Sequence, residues 1–151
     1  QSKKGVIPIT DSKMTRFNIT LEQGVNLVLN AIENAYGGEI FVPKIPSYKI
    51  LDLADAICPK CKKEFIGIRP GEKIHEEMIT SSDSFNTFDN GDKYIIFPSD
   101  QKFFNSYIRN NITLKKVSEG FSYNSKDNPY FLTVNQIKDL INENIHKSNI
   151  C

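Results

Sequence analysis

Residues 20–42 read TLEQGVNLVLNAIENAYGGEIFV, and they carry the clearest structural signal in the chain. Thr20 and Gln23 have the spacing of a capping box, in which each side chain binds the backbone amide of the other residue. An apolar stripe follows at helical spacing until Gly37-Gly38 ends the pattern. The segment Glu39–Val42 is short, rich in strand-forming residues and closed by a proline. The stretch therefore predicts a helix that leads directly into a strand. The stripe consists of Leu21, Val25, Val28, Leu29 and Ile32.

The alternation of helices and strands continues after this stretch. The pattern predicts a second helix, opened by Ser47 or its neighbours and stopped by Pro59. A strand is predicted over Glu64–Ile68, and a short helical stretch is predicted after the turn at Arg69–Glu72. Helices that alternate with strands in this way indicate an α/β fold.

The second half of the chain carries weaker signals. Residues 81–93 have the composition of a loop, with an Asn-Gly pair as a turn. Tyr94–Phe97 is predicted to be a buried strand, and Asp100–Asn128 an irregular arm. A last helix is predicted to begin after Thr133, because its spacing to Gln136 repeats the capping box.

Length and composition exclude several classes of protein. The chain has 151 residues, and its net charge of +1 argues against a protein that mainly neutralises nucleic-acid phosphates. The longest apolar stretches fall far short of the roughly 20 residues that cross a bilayer. Residues 1–4 lead into no apolar export signal. Three cysteines are too few for a disulfide framework. These features predict a soluble, cytoplasmic α/β domain.

Two cysteines have a spacing that metal sites use. Cys58 and Cys61 stand three positions apart, as in a zinc knuckle, but the other candidate ligands, Cys151, His75 and His146, are isolated in the sequence. The pair follows a predicted helix rather than a strand, which argues against a thioredoxin-type redox motif. We therefore predict no metal site, and we interpret the cysteines as an incidental pair near a helix end. The histidines are interpreted as solvated surface residues, with His75 on a helix.

Two arginine-centred motifs are more informative. Arg16 lies just before the first predicted helix, and Arg69 lies at a predicted strand end, three residues before Glu72. A guanidinium makes planar, bidentate contacts to phosphate, and a carboxylate accepts hydrogen bonds from ribose hydroxyls. Ligands in α/β folds bind at strand ends. From the residues alone, a surface ion pair is the alternative for either arginine.

Short motifs run along nearly the whole chain in a fixed order. They are MTRF at 14–17, ITLEQG at 19–24, GEIFVPKIPS at 38–47, IGIRPGEK at 66–73, HE at 75–76, GFSYNS at 120–125, Asn128 and LT at 132–133. Together they resemble the inverting UDP-N-acetylglucosamine 4,6-dehydratases, which belong to the extended short-chain dehydrogenase/reductase family. The resemblance implies a lyase of nucleotide-sugar and polysaccharide biosynthesis.

The resemblance covers the second half of such an enzyme. Family members carry an N-terminal Rossmann half with a glycine-rich dinucleotide loop and a catalytic Tyr-x-x-x-Lys pair, and neither pattern occurs in this sequence. It therefore implies NADP in the complete enzyme, no cofactor site and no catalytic residue in this chain, and a separate Rossmann half as a candidate partner. The implied division is a nucleotide-sugar-binding α/β domain over 1–98 and an irregular C-terminal extension over 99–151 that ends in a helix.

The role that the resemblance implies for this half is to hold UDP. In the family, NADP takes hydride from C4 of the sugar, water leaves across C5 and C6, and hydride returns at C6 with inversion at C5. The arginines contact the diphosphate, the glutamate contacts the ribose, and the segment that begins at Val6 lies along the uracil. The implied site residues are Val6, Met14, Thr15, Arg16, Arg69 and Glu72.

Several alternatives stay open at this point. The chain could be a non-catalytic remnant or binding module, or part of a related epimerase or retaining dehydratase. A split enzyme, a truncated gene product and a deliberately cut piece are equally compatible with the sequence. Without a Rossmann half, apolar faces of the helices are expected to be exposed, which predicts a homo-oligomer or a marginally stable monomer. No nucleic-acid or membrane partner is expected.

Overall fold

The computed structural model describes residues 5–148, without the side chains of residues 101, 103 and 145–148. The chain forms two compact units, and each combines segments from before and after residue 98, where a domain boundary is predicted. That boundary stays a prediction. The first unit extends to Asn18 and includes Pro46–Glu76 and the chain from Ser125 onward; the second comprises Ile19–Ile45 and Glu77–Asn124.

Among the described residues, short strands, four α-helices and a 3-10 helix make up the two units. In chain order they are β1 (Val6–Ile9), β2 (Thr15–Phe17), α1 (Leu21–Asn34), β3 (Ile40–Pro43), β4 (Ser47–Lys49), α2 (Ile50–Ile57), β5 (Lys62–Phe65), β6 (Glu77–Ile79), a 3-10 helix (Ser81–Asn86), β7 (Thr87–Asp89), β8 (Lys93–Ile96), α3 (Gln101–Arg109), β9 (Lys115–Lys116), β10 (Tyr123–Asn124) and α4 (Val134–Ser148).

The first unit contains two strand pairs and two helices. β1 pairs in parallel with β5, and β2 pairs antiparallel with β4 so that Arg16 lies opposite Tyr48. α2 and α4 pack against each other, and Ala54 and Ile137 from these helices are buried. The predicted capping box of the last helix is confirmed, because the Thr133 and Gln136 side chains each accept the backbone N–H of the other.

Ser47 lies in β4, shortly before the second helix, and is fully buried. The sequence predicts that Ser47 or one of its neighbours opens this helix, and the neighbour Lys49 directly precedes it. The Ser47 N–H donates to the Tyr130 carbonyl at 2.8 Å, and the Ser47 carbonyl accepts the Leu132 N–H at 2.8 Å. The Asn128 side chain donates to the Ser47 hydroxyl at 2.9 Å. Backbone groups of a strand need partners, so Ser47 ties the C-terminal segment to β4.

A disulfide bond joins Cys58 and Cys61 at the end of α2. The Cys58 N–H donates to the Ala54 carbonyl at 2.9 Å and closes the helix. The interpretation of these cysteines as an incidental pair is therefore wrong. Within residues 5–148, no three His, Cys, Asp or Glu side chains stand close enough to share a metal ion. Cys151 and the His146 side chain lie outside the described part of the chain.

The second unit contains a four-stranded sheet in the order β3-β8-β7-β9. The predicted buried strand is confirmed in β8, where Ile95 is 1% exposed. The predicted Asn-Gly turn is also confirmed, because it joins β7 to β8. Ile95, Phe97 and Tyr107 form the core, and partly buried Phe88 and Phe104 pack against it.

The segment predicted as a loop over residues 81–93 is more regular than expected. It contains the 3-10 helix and β7. The Asp83 carboxylate accepts the Thr80 N–H at 2.9 Å and the Thr80 hydroxyl at 2.6 Å, and these hydrogen bonds lower the pKa of Asp83. The capping box formed by Thr80 and Asp83 thus starts a helical turn in a segment whose composition is typical of loops.

The predicted irregular arm over Asp100–Asn128 contains a helix and two strands. Asp100 caps α3, since its carboxylate accepts the Lys102 N–H at 3.0 Å. Phe104 and Tyr107 stand three positions apart on α3, and both join the aromatic core. Two apolar residues in one short helix form too weak a periodic pattern to predict a helix from the sequence. The segment is helical because the packing of these side chains into the core stabilises it.

The strand and helix predicted around Arg69 are partly wrong. β5 starts earlier than expected, at Lys62, and ends at Phe65. The short helix predicted directly after Glu72 is absent, because residues 73–76 form an irregular segment that leads into β6. Gly71 has a φ of +81° in this turn, a conformation that directs the chain away from a helix.

α1 begins as the sequence predicts and exposes its apolar stripe. Its capping box is confirmed, with the Thr20 N–H donating to Gln23 Oε1 at 2.9 Å and the Gln23 N–H donating to the Thr20 hydroxyl at 3.2 Å. None of the residues of α1 is buried, and Leu21 is 86% exposed.

None of the helices among residues 5–148 combines the length and apolar character that a bilayer span requires.

One carboxylate couples the stability of the second unit to pH. Glu39 accepts backbone N–H groups of Tyr36 and Gly37 at 2.6 and 2.7 Å and the Tyr107 hydroxyl at 2.8 Å. Burial acts to raise the pKa of Glu39, but these hydrogen bonds, together with one from its own amide, lower it below the ordinary value of 4.5. A depressed pKa stabilises the folded state above the unfolded pKa, and this stabilisation is lost as pH falls through the folded pKa.

We therefore expect the Tyr107→Phe variant to show a pH-dependent loss of stability. The free energy of unfolding, measured with urea, is expected to be lower than that of the parent chain near neutral pH. The difference is expected to shrink as the pH falls below the ordinary carboxyl pKa of 4.5 and through the lowered pKa of Glu39. Burial and the hydrogen bond to Glu39 raise the pKa of Tyr107, so its hydroxyl stays a donor throughout this range. A difference that is constant with pH would contradict the coupling.

Candidate functional site

Arg16 is held in the first unit by four partners. One terminal nitrogen, Nη1, donates to the carbonyls of Thr15 at 2.7 Å and Ile74 at 3.1 Å. Nε lies 3.2 Å from Glu76 Oε1, and Nη2 lies 3.9 Å from Glu72 Oε1. The side chain is 19% exposed. The guanidinium is therefore fixed in direction, and Nη2 is the nitrogen with the loosest protein contact.

Glu72 connects both predicted arginines. It lies in the turn after β5, where its N–H donates to the Arg69 carbonyl at 3.0 Å. Its carboxylate accepts the Arg69 N–H at 3.2 Å, while its other oxygen faces Arg16. Arg69 itself is exposed. The structure thus brings Arg16 and Glu72 together and links Arg69 to them through the backbone of the turn.

Tyr48 is a neighbour of Arg16 that the sequence prediction does not include. It lies directly opposite Arg16 in the β2–β4 pair, and directly opposite residues project from the same face of such a pair. Burial raises the pKa of Tyr48, and the Arg16 charge opposes part of that rise. A neutral phenol beside the guanidinium offers a ligand both a hydrogen-bond donor and an acceptor.

Met14 and Thr15 lie in the interior of the first unit. Met14 is 3% exposed and Thr15 is 5% exposed. The Thr15 hydroxyl is hydrogen bonded to His75 Nδ1 at 2.8 Å and to the Ser125 hydroxyl at 2.7 Å. Direct ligand contact by these two side chains stays a prediction, and both hydrogen bonds of the Thr15 hydroxyl go to protein groups.

His75 differs from the sequence interpretation in two respects. It is not on a helix, because residues 73–76 form an irregular segment, and it is half-buried rather than solvated. Its partner Thr15 is 60 positions away in the sequence. Local sequence cannot report such a partner, so the surface interpretation of His75 is wrong.

Val6 lies at the start of β1, opposite Lys62 of β5. It is half-buried. It belongs to the same unit as the two arginines and Glu72. Its predicted contact with uracil stays a prediction.

Besides Tyr48, three residues of the site have no assigned role in the sequence prediction. They are Glu76, His75 and Ser125, which belong to the HE and GFSYNS motifs. Glu76 pairs with Arg16, and its N–H donates to the Ser125 hydroxyl at 2.9 Å. The fully buried Ser125 donates its N–H to the Glu76 carbonyl at 2.8 Å. The arrangement is a guanidinium with fixed partners beside a carboxylate and a phenol, which suits a polar ligand that carries an anionic group.

Comparisons with known proteins identify the class to which this fold and site belong. Residues 1–98 match the family described as "Polysaccharide biosynthesis protein". The chain therefore belongs to the polysaccharide biosynthesis protein family. The resemblance that the sequence motifs carry is confirmed, as is the α/β class.

The chain is similar to proteins of known name and to a solved structure. It is 48% identical over 141 residues to a UDP-N-acetylglucosamine 4,6-dehydratase (inverting) of Campylobacter jejuni subsp. jejuni serotype O:2, covering 90% of this chain and 42% of that protein. It is 44% identical over 101 residues to a UDP-glucose 4-epimerase of Rickettsia canadensis, covering 64% of this chain and 30% of that protein. The X-ray structure of Pen from Bacillus thuringiensis matches with a TM-score of 0.75 and 29% identity, covering 95% of this chain and 43% of that chain. The chain thus spans less than half the length of these relatives.

Proposed function

We propose that this chain is the UDP-sugar-binding portion of an inverting UDP-N-acetylglucosamine 4,6-dehydratase that acts in nucleotide-sugar and surface-glycan biosynthesis. The 48% identity to the Campylobacter jejuni relative supports the assignment. The observation that carries it is the ion pair between Arg16 and Glu72, which lies in the turn that also contains Arg69. Two candidate diphosphate ligands and one candidate ribose ligand therefore converge in one unit.

The proposed binding mode follows from the chemistry of each group. Arg16 and Arg69 contact the diphosphate, with Arg16 using Nη2, because Nε and Nη1 already have partners. Glu72 accepts hydrogen bonds from the ribose hydroxyls, and Val6 lies along the uracil. Met14 and Thr15 line the same site from the interior of the first unit. Binding energy from such a remote group positions a reacting sugar, so its loss lowers turnover as well as affinity.

The described residues do not fit a dinucleotide such as NADP. A pyrophosphate cradle needs a glycine-rich turn at a helix N-terminus that follows a strand. The residues that precede α1, α2, α3 and α4 are Thr20, Lys49, Asp100 and Thr133 rather than a glycine-rich turn. The proposal therefore assigns NADP and the hydride chemistry to another part of the complete enzyme.

Calorimetric titration with UDP and UDP-N-acetylglucosamine tests the proposal. The parent chain is expected to bind both ligands, and Arg69→Ala is expected to weaken binding at least about tenfold, because a charge-assisted hydrogen bond is lost. Arg109→Ala is the matched control, since it removes an exposed arginine from the end of α3 and is expected to change neither affinity. A folded parent chain that binds neither ligand would contradict the proposal and favour a non-catalytic remnant.

A second candidate is the equivalent part of a UDP-sugar 4-epimerase. The similarity to the UDP-glucose 4-epimerase of Rickettsia canadensis favours it. The two candidates differ in the UDP-sugar that this portion is expected to prefer. Tighter binding of UDP-N-acetylglucosamine than of UDP-glucose in calorimetric titration supports the dehydratase, whereas the reverse preference supports the epimerase.

Self-association is the proposed state of the isolated chain. The exposed apolar stripe of α1 supports it, since contiguous apolar surface favours burial against another molecule. A separate Rossmann half that covers the same stripe is the alternative partner. Sedimentation velocity of the chain alone and with the part of the Campylobacter jejuni relative outside the region that this chain matches distinguishes the two, because a heterodimer would replace the oligomer in the second case.

A further inference from the structure

A buried hydrogen-bond cluster lies beside the Arg16 guanidinium. Its members are the Thr15 hydroxyl, His75 Nδ1 and the Ser125 hydroxyl, with distances of 2.8 Å from Thr15 to His75 and 2.7 Å from Thr15 to Ser125. Ser125 is 0% exposed. The three side chains come from β2, from the segment before β6 and from the chain after β10. The cluster thus joins three distant parts of the sequence at one point.

Each member of the cluster is tied to a partner of Arg16. Ser125 exchanges two hydrogen bonds with the backbone of Glu76, whose carboxylate lies 3.2 Å from Arg16 Nε. His75 immediately follows Ile74, whose carbonyl accepts both the Thr15 N–H at 3.0 Å and Arg16 Nη1 at 3.1 Å. A shift of the segment 74–76 would therefore move two of the groups that fix the guanidinium.

We propose that Ser125 and His75 are positioning residues that hold Arg16 in the direction required to bind a diphosphate. The inference rests on the proposed UDP-binding function and adds two residues that do not touch the ligand. Ser125 and His75 act through Thr15, whose hydroxyl they bind. Thr15 and Arg16 are consecutive in β2, so their side chains point to opposite faces of the strand, and fixing Thr15 also fixes the backbone that carries Arg16. The cluster anchors the inner face, and the guanidinium on the outer face keeps its two carbonyl and two carboxylate partners.

The donors and acceptors of the cluster match when the imidazole accepts at Nδ1. The Ser125 hydroxyl then accepts the Glu76 N–H and donates to Thr15, and the Thr15 hydroxyl donates to His75. Each hydroxyl proton has one acceptor in this arrangement. Removal of either Ser125 or His75 leaves a buried donor or acceptor without its partner, which is costly in the interior. The cluster is therefore a specific network rather than interchangeable packing.

The test compares UDP with uridine, which lacks the diphosphate. Ser125→Ala and His75→Ala are expected to weaken UDP binding about tenfold and to leave uridine binding unchanged, because only the Arg16 contact is disturbed. His75→Asn is expected to restore UDP affinity, since the asparagine side chain can place an acceptor near the position of Nδ1. Ser118→Ala, at an exposed serine, is the matched control. An equal loss for UDP and uridine would overturn the proposal, because a general structural defect would affect both ligands.

A double-mutant cycle separates positioning from direct binding. In an Arg16→Gln background, Ser125→Ala is expected to cause no further loss of UDP affinity, because the group that it positions is gone. A full additional loss in the double variant would contradict the proposal. Thermal melting of each variant checks that the chain is folded, and His75→Ala replaces Ser125→Ala in the cycle should Ser125→Ala fail to fold.

A measurement without ligand keeps this inference distinct from the proposed function. Failure of the parent chain to bind UDP would count against the proposed function. The Nε–Hε signal of Arg16 in the NMR spectrum of the free chain then reports the positioning directly. Persistence of the signal in the parent and in His75→Asn, with broadening in His75→Ala and Ser125→Ala, supports the positioning role. An unchanged signal in all four proteins overturns it.

Discussion

Replacement of Arg16 by glutamine is expected to lower the affinity for UDP about 100-fold. The side chain would lose its charge-assisted hydrogen bonds to the diphosphate, worth roughly 1.5–3 kcal/mol each. The substitution would also leave Glu72 and Glu76 without their cationic partner, so their negative charges would repel the incoming phosphates. Isothermal titration calorimetry of the parent and variant chains with UDP measures the change directly.

Two further variants make this prediction specific. Arg16→Lys keeps the charge but loses the planar fork of donors, so it is expected to recover only part of the affinity. Arg109→Gln removes a solvent-exposed arginine and is expected to bind UDP like the parent. Unchanged UDP affinity in a folded Arg16→Gln variant would mean that the ion pairs of Arg16 are purely structural, as in the surface ion-pair alternative.

Truncation of Phe97 to alanine is expected to lower the free energy of unfolding by about 3–5 kcal/mol. Phe97 is 5% exposed and packs edge-on against Phe88, Phe104 and Tyr107, at ring-centroid distances of 5.5, 5.4 and 5.0 Å. Its removal opens a cavity in the core of the second unit and ends three aromatic contacts. Urea denaturation followed by near-ultraviolet circular dichroism, which reports on the packing of tyrosine and phenylalanine rings, measures the effect.

An exposed phenylalanine provides the control for this core variant. Phe85 in the 3-10 helix is 57% exposed, and Phe85→Ala is expected to change stability by less than about 0.5 kcal/mol. A small effect of Phe97→Ala, comparable to that of Phe85→Ala, would contradict the aromatic core as described. A loss of about 5 kcal/mol approaches the total stability of a marginal domain, so Phe97→Ala is expected to be largely unfolded if the parent is marginal.

Short-range features of the fold could be predicted from the sequence. The capping boxes at Thr20 and Thr133, the turn at Asn90-Gly91 and the buried strand around Ile95 are all present. Each depends on residues a few positions apart, whose interactions form in any context where the segment is ordered. The α/β class follows from the order of such elements.

The site was only partly predictable for the same reason. Arg16, Arg69 and Glu72 could be proposed because guanidinium and carboxylate groups in those motifs have recognisable chemistry. Ser125 and His75 could not, because a serine or a histidine has many uses and its partners lie far away in the sequence. The bond between Thr15 and Ser125, for example, spans 110 positions.

Local patterns in the sequence are enough to predict the capping boxes, the Asn-Gly turn, the buried strand β8 and the family of the chain. Long-range contacts are needed to place Ser47 in a strand, to bring Tyr107 of α3 into a core and to put Thr15 between His75 and Ser125. Caps and turns are satisfied within a few residues, so the local sequence reports them. Buried polar groups and short amphipathic segments, in contrast, depend on partners that only the folded chain brings within hydrogen-bond or packing distance.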